Sequence, residues 1–121
     1  NARDGERLAQ VADDLAARHG VPVRAFPCDV TARDAVFAMV AEVEAWRPLD
    51  ILVNNAGIHV AARFVDYSFE DFKRIMEHNV YGVFHVTQAV LPGLMARRGG
   101  RVINLASSAG KWGSRNQSAY N

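Results

Sequence analysis

Asp50-Ile51-Leu52-Val53-Asn54-Asn55-Ala56-Gly57 decides how the chain folds. The run Leu49 to Val53 is short and mostly apolar, and it ends at once in two amides and two small residues. An apolar run of this length, bounded by turn residues, reads as a buried strand. Helical spacing lies on either side of it. Upstream, Val36, Met39, Val40 and Val43 form one stripe; Thr31 with Asp34 makes a capping box at its start, and Pro48 lies beyond its end. Further upstream, Pro22 to Phe26 is a short β-compatible segment whose only β-branched residue is Val23. A first helix carries Leu8, Val11, Ala12 and Leu15 at i, i+3, i+4 and i+7, and Gly20 and Pro22 stop it. Downstream, residues 58–67 form a loop, and Ser68 with Asp71 makes a second capping box. The long helix that follows has the stripe Phe72, Ile75, Met76, Asn79, Val83, Val86, Val90 and Leu94, and Pro92 should bend or unravel its last turns. Gly99-Gly100 then turns the chain into a strand over Arg101 to Ala106, and a polar tail runs from Ser107 to Asn121.

The order is helix, strand, helix, strand, long helix, strand. Strands separated by helices this long are parallel βαβ units, so the fold class is α/β with a doubly wound parallel sheet and helices on both faces. Ligands of such a sheet bind beyond the carboxyl ends of its strands. The informative residues therefore follow each strand: Cys28-Asp29-Val30, Asn54 to Gly57, and Ser107-Ser108. All are small or polar, as a binding crevice requires.

The 121 residues allow one domain at most, and 14 Lys+Arg against 13 Asp+Glu leave a formal charge of +1. So even a balance disfavours a nucleic-acid partner, which needs a dense basic field. No apolar run approaches the roughly 20 residues that span a bilayer, so no membrane partner is expected. The single cysteine, Cys28, excludes an intramolecular disulfide and suits a reducing, cytoplasmic compartment. The first residue is not Met and lies close to a helix pattern, so the chain is expected to be a piece of a longer polypeptide.

Several side chains carry two readings each. Asn54 to Gly57 is a turn, or a surface that lets a flat ligand approach the backbone. Asn79 sits in an apolar stripe, where it bonds to neighbouring backbone, holds a water, or bends the helix. Asp29 accepts a bond from a ligand amine or closes an Asx turn. Ser107 and Tyr120, 13 residues apart, could polarise a carbonyl and hand it a proton. No His and acid pattern around Ser107 supports a hydrolase triad. His19, His59, His78 and His85 lack metal-ligand spacing with one another, with acids or with Cys28, so no metal is expected.

Together these features resemble the short-chain dehydrogenase/reductase family. Asp50 to Gly57 is similar to its D-x-L-V-N-N-A-G segment. Asn79-Val80-Tyr81-Gly82-Val83-Phe84, followed by Leu91-Pro92, resembles the stretch around its helix asparagine. Gly100-Arg101-Val102-Ile103-Asn104-Leu105-Ala106-Ser107-Ser108-Ala109-Gly110 resembles the strand that delivers its serine. Tyr120 matches the family tyrosine by its spacing from Ser107, and Asp29-Val30 matches the adenine-contacting pair.

The resemblance implies a Rossmann-type fold and hydride transfer between a nicotinamide cofactor and a carbonyl or secondary alcohol. It makes Tyr120 the proton donor or acceptor, Ser107 the partner of the substrate oxygen, and Asn79 the holder of a water in a proton relay. Asn55, Ala56 and Gly57 would line the cofactor, and Asp29 with Val30 would flank adenine. Arg3 stands where a cation can pair the 2′-phosphate of NADP, so NADP is expected and NAD remains possible. The chain would be the central part of one such domain, residues 1–121, without the Gly-rich phosphate loop, the family lysine four residues past Tyr120, or the substrate lid. A free phenol titrates near 10, and the lysine and cofactor charge lower it, so residues 1–121 alone are expected to be inactive. The local text resembles 3-oxoacyl-thioester reductases and small-alcohol dehydrogenases alike. A homotetramer or homodimer formed through the long helix is implied, with Met76, His78 and Tyr81 on its surface. The rival readings are a non-catalytic dinucleotide-binding or sensor protein, a sugar-nucleotide epimerase or dehydratase, and a general α/β binding module.

Overall fold

The computed structural model describes residues 4–121. Helix α1 spans Gly5–His19, α2 Arg33–Trp46, α3 Phe69–Met76 and α4 Gly82–Ala96. Strands β1, Ile51–Asn54, and β2, Arg101–Asn104, pair in parallel with Ile51 opposite Arg101 and Asn54 opposite Asn104. Because β1 and β2 are parallel, the chain must cross over between them, and α3 and α4 make that crossover.

Register decides which side chains face which layer. Leu52, Asn54, Val102 and Asn104 share the face turned to the helices. There Val36 and Val40 of α2 meet Val90 and Leu94 of α4 in the main core cluster, with Leu49, Leu52 and Val86 packed on it. The other face carries Ile51, Val53, Ile103 and Leu105, exposed at 51%, 51%, 45% and 59%. Helices α2 and α4 thus cover one face of the two-stranded sheet.

Asp4 caps α1 by accepting from Arg7 N–H, and Gly20 ends it in the left-handed region at φ 63°. Of its apolar stripe only Ala12 is buried, while Val11 and Leu15 are exposed. Pro22 to Phe26 joins no ladder, because the sheet of the described residues consists of β1 and β2 alone. The α2 cap falls on Ala32, and its side chain makes no capping bond. The hydroxyl and N–H of Thr31 both donate to Asp29 Oδ1 instead, at 2.9 and 3.0 Å, so Asp29 closes an Asx turn ahead of the helix.

Ser68 caps α3 as expected, accepting from Asp71 N–H at 3.0 Å and donating its hydroxyl to Asp71 Oδ2. The predicted single long helix is interrupted by a π-helical turn over Glu77–Tyr81, centred on Asn79. Pro92 is carried inside α4, which continues to Ala96. A guanidinium clamp holds this end: Arg97 donates to both Glu44 carboxylate oxygens at 2.9 Å and to the Leu49 carbonyl at 2.6 Å. The clamp holds Glu44 below its ordinary carboxylate range, chiefly through the Arg97 hydrogen bond. Gly100, at φ 132°, turns the chain into β2 where a Cβ would stand 2.6 Å from Leu94 Cδ2. Of the side chains expected on an oligomer surface, Tyr81 is exposed while Met76 and His78 are half-buried. No helix among the described residues is long and apolar enough to cross a membrane.

Candidate active site

Two hollows share one wall, Asn54-Asn55-Ala56; the first runs back along β1 as far as Leu49, and the second opens at the carboxyl end of the strands. The first, about 250 Å³, is mainly apolar and is bordered by Val30, Met39, Leu52, Gly82 and Val86. The second, about 500 Å³, brings together Gly57, Asn79, Ser107, Gly110 and Tyr120. Residues far apart in sequence thus meet where a parallel sheet places its ligands. Asn55, Ala56 and Gly57 are exposed and add no bulky side chain to the wall.

The wall is fixed from beneath. Asn54 is buried at 7% exposure, and its Nδ2 donates to Asn104 Oδ1 at 2.8 Å and to Thr87 Oγ1 at 2.9 Å. One amide therefore ties β1 to β2 and to α4. Leu105 N–H donates to the Asn54 carbonyl at 3.0 Å and carries the pairing past the end of β2. Asn104 and Thr87 are structural partners that the motif reading did not single out. A polar residue within the apolar strand Val102 to Leu105 was the available signal for Asn104.

Asn79 acts on the loop that leaves the wall. Its Oδ1 accepts from Ile58 N–H at 2.8 Å and its Nδ2 donates to the Ile58 carbonyl at 2.9 Å. A Cβ on Gly57 would come within 3.2 Å of that Oδ1. Of the readings weighed for Asn79, the bond to neighbouring backbone and the distortion of the helix are both present.

Ser107 is exposed, and its Oγ accepts from Ala109 N–H at 3.1 Å, capping a short 3₁₀ turn over Ser108–Gly110. The oxygen is oriented while its proton stays available. Ser108 does not border the cleft. Tyr120 is half-buried, its N–H donating to the Gln117 carbonyl at 2.8 Å and its ring set edge-on against His59 with centroids 5.0 Å apart. Among the described residues no acceptor takes the proton of either hydroxyl.

The Asp29-Val30 pair belongs to the apolar side. Val30 is buried, its carbonyl bonded to His85 Nδ1 at 3.1 Å and its side chain set against Gly82. A carbonyl only accepts, so the Nδ1 of His85 carries the proton. Asp29 is committed in part to its Asx turn. Burial, aided by the Asp29 charge, pushes the Cys28 thiol up, away from the thiolate needed of a nucleophile. Arg3, the expected cofactor cation, lies outside the described residues. Among the described residues no three His, Cys, Asp or Glu side chains are grouped to hold a metal ion.

The whole sequence, residues 1–121, matches the family model described as short chain dehydrogenase. It is 38% identical over 112 residues to the NADP-dependent 3-hydroxy acid dehydrogenase YdfG of Salmonella typhi, covering 91% of this chain and 44% of that protein. It is also 38% identical over 121 residues to the 3-oxoacyl-[acyl-carrier-protein] reductase MabA of Mycobacterium avium, covering 95% and 48%. Among solved structures, an NAD+-bound xylitol dehydrogenase matches with a TM-score of 0.91 at 36% identity, over 98% of this chain and 47% of that one. A serine dehydrogenase from Escherichia coli matches with a TM-score of 0.85 at 34% identity, over 98% and 54%. The chain spans about half the length of these relatives or less. With this match along its full length and a parallel βαβ unit of the same shape, the chain belongs to the short-chain dehydrogenase family.

Proposed function

We propose that the protein carrying this chain is an oxidoreductase that moves hydride between NADP(H) and a carbonyl or secondary alcohol, with Tyr120 as general acid and base. The observation that carries the reading is the shared cleft of Ser107, Tyr120 and Asn79, in which, among the described residues, neither hydroxyl proton has a protein acceptor.

The wall fits a flat, extended cofactor. Asn55, Ala56 and Gly57 offer backbone and small side chains along a path joining the apolar hollow to the polar cleft. These three residues would hold the cofactor there, and the Asp29-Val30 stretch would border its adenine end. Arg3 suits a 2′-phosphate by its charge, and the relatives include both an NADP-dependent and an NAD+-bound dehydrogenase. When bound, the nicotinamide would supply or accept the hydride.

The protein's own part is proton handling. Ser107 donates its hydroxyl proton to the substrate oxygen while Ala109 N–H holds its Oγ in place. This bond strengthens as negative charge grows on the oxygen. Tyr120 delivers its proton to that same oxygen in reduction and takes it back in oxidation. Asn79 keeps Ile58 fixed, and with it the rim of the wall.

Tyr120→Phe in the full-length protein tests the reading. General acid–base catalysis is worth about 10²–10⁴-fold, so kcat for NADPH-dependent carbonyl reduction should fall by at least about a hundredfold. NADPH binding, followed by its fluorescence, should persist. A variant that keeps most of its kcat would refute the role of Tyr120.

A further inference from the structure

We propose that the loop 58–62 is a rigid rail that positions Tyr120, and that His59 is its positioning residue. The inference rests on the proton-transfer role given to Tyr120 above.

The loop is held at alternate residues by partners from three different segments. Ile58 is gripped at both N–H and carbonyl by Asn79 of the π turn, at 2.8 and 2.9 Å. The Val60 carbonyl accepts from the Tyr67 hydroxyl. Ala62 N–H donates to the Asn116 carbonyl at 2.9 Å. His59 therefore lies between two anchored neighbours, and its ring stands edge-on to Tyr120 at 5.0 Å between centroids and 65° between planes. Aromatic rings favour that edge-to-face setting.

The segment that carries Tyr120 is attached to the rail at two points. One is the Ala62–Asn116 bond, made by a residue in the left-handed region at φ 61°, which asparagine tolerates better than most. The other is the His59–Tyr120 ring contact. Between them, Tyr120 N–H closes a turn onto the Gln117 carbonyl at 2.8 Å. A phenol that must meet a substrate oxygen within hydrogen-bond reach gains from a fixed ring plane, and a misplacement of about 1 Å can cost about a hundredfold in rate.

The test compares His59→Ala and His59→Phe in the full-length protein, with Tyr120→Phe as control. Losing an edge-to-face partner should lower kcat of His59→Ala by roughly two- to tenfold, with the NADPH dissociation constant and the cofactor KM unchanged. His59→Phe, which keeps a ring but has no titratable nitrogen, should recover most of that loss. If His59→Ala retains full kcat, or if Phe restores nothing, the positioning role is overturned. If His59→Ala loses its cooperative thermal transition, His59→Leu against His59→Phe decides the same question, since leucine fills space without a ring edge. Should Tyr120→Phe itself remain active, the underlying redox reading fails, whatever the His59 variants do.

Discussion

Removing the amide of Asn79 should loosen the cofactor wall and destabilise the protein by a predictable amount. Its two bonds are the only side-chain grip on Ile58 among the described residues. A hydrogen bond contributes a net of about 0.5–1.5 kcal/mol, and stranding a buried partner costs about 1–3 kcal/mol. Both residues are half-buried, so water recovers part of that cost. Asn79→Ala should therefore cost about 1–3 kcal/mol. Asn79→Asp is the sharper probe, because it keeps an acceptor for Ile58 N–H but turns a second oxygen toward the Ile58 carbonyl. It should lose about as much as the alanine variant despite its nearly identical shape, since the lost donor is replaced by a repulsive contact. Urea unfolding of the full-length protein, followed by tryptophan fluorescence, gives the free energy. Amide hydrogen exchange at Ile58 and His59 locates it, and both amides should exchange faster in either variant. Unfolding free energies within about 0.5 kcal/mol of wild type, the spread of an inconsequential surface change, with unaltered exchange at Ile58, would refute the clamp.

Three further outcomes follow from the packing. A Cβ at Gly82 would stand 2.8 Å from Val30 Cγ2, so Gly82→Ala should lose about 1–3 kcal/mol to overpacking, less about 1 kcal/mol of helix propensity regained; adding Val30→Ala should restore stability, and additive losses in a double-mutant cycle would disprove the contact. Glu44 is held below its ordinary value of 4.5 by Arg97, so its contribution is complete above about pH 4.5 and is lost as pH falls through the lower folded value. The melting temperature of Glu44→Gln should lie below wild type near neutrality and converge with it in acid, and a constant gap across that range would contradict the clamp. Residues 1–121 expressed alone should bind a hydrophobic dye, because the face with Ile51, Val53, Ile103 and Leu105 is exposed; a dye-silent segment would contradict this.

The elements that carry strong local signals form where the sequence places them. Leu49 to Val53 overlaps β1, which runs on to Asn54, Arg101 to Ala106 contains β2, and the α2 and α4 stripes meet in the core through Val36, Val40, Val90 and Leu94. What the pattern misses depends on partners distant in sequence. Pro22 to Phe26 has strand-compatible residues, but a strand exists only when another lies beside it. The helix stripe over 72–94 is continuous in sequence, yet the chain inserts a π turn at Glu77–Tyr81. Asn79 is the residue in that stripe that prefers a hydrogen bond to apolar packing. The cap at Thr31 moved for a similar reason: Asp29 competes for its hydroxyl and takes it. At the candidate site, Ser107, Tyr120, Asn79 and the 54–57 wall were legible because strand ends and family spacing mark them. The ring contact between His59 and Tyr120 was not, since the two residues lie 61 positions apart and no local pattern joins them.

The choice of amides around the cleft has a physical logic of its own. Asn54 spans from β1 to β2 and α4, and Asn79 spans from the π turn to the loop after β1. Apolar side chains could join the same elements, but they stabilise by filling space, and the space in question is the cleft proposed to take the ligand. A hydrogen bond fixes two groups at about 2.9 Å through a thin, directional contact. It holds the walls apart at a set distance without closing the gap between them. Away from the strand ends the same helix-facing layer packs through Val36, Val40, Val90 and Leu94 instead. The change from apolar packing to amide stitching, which falls at Asn54 along β1, therefore marks where the core ends and the crevice begins.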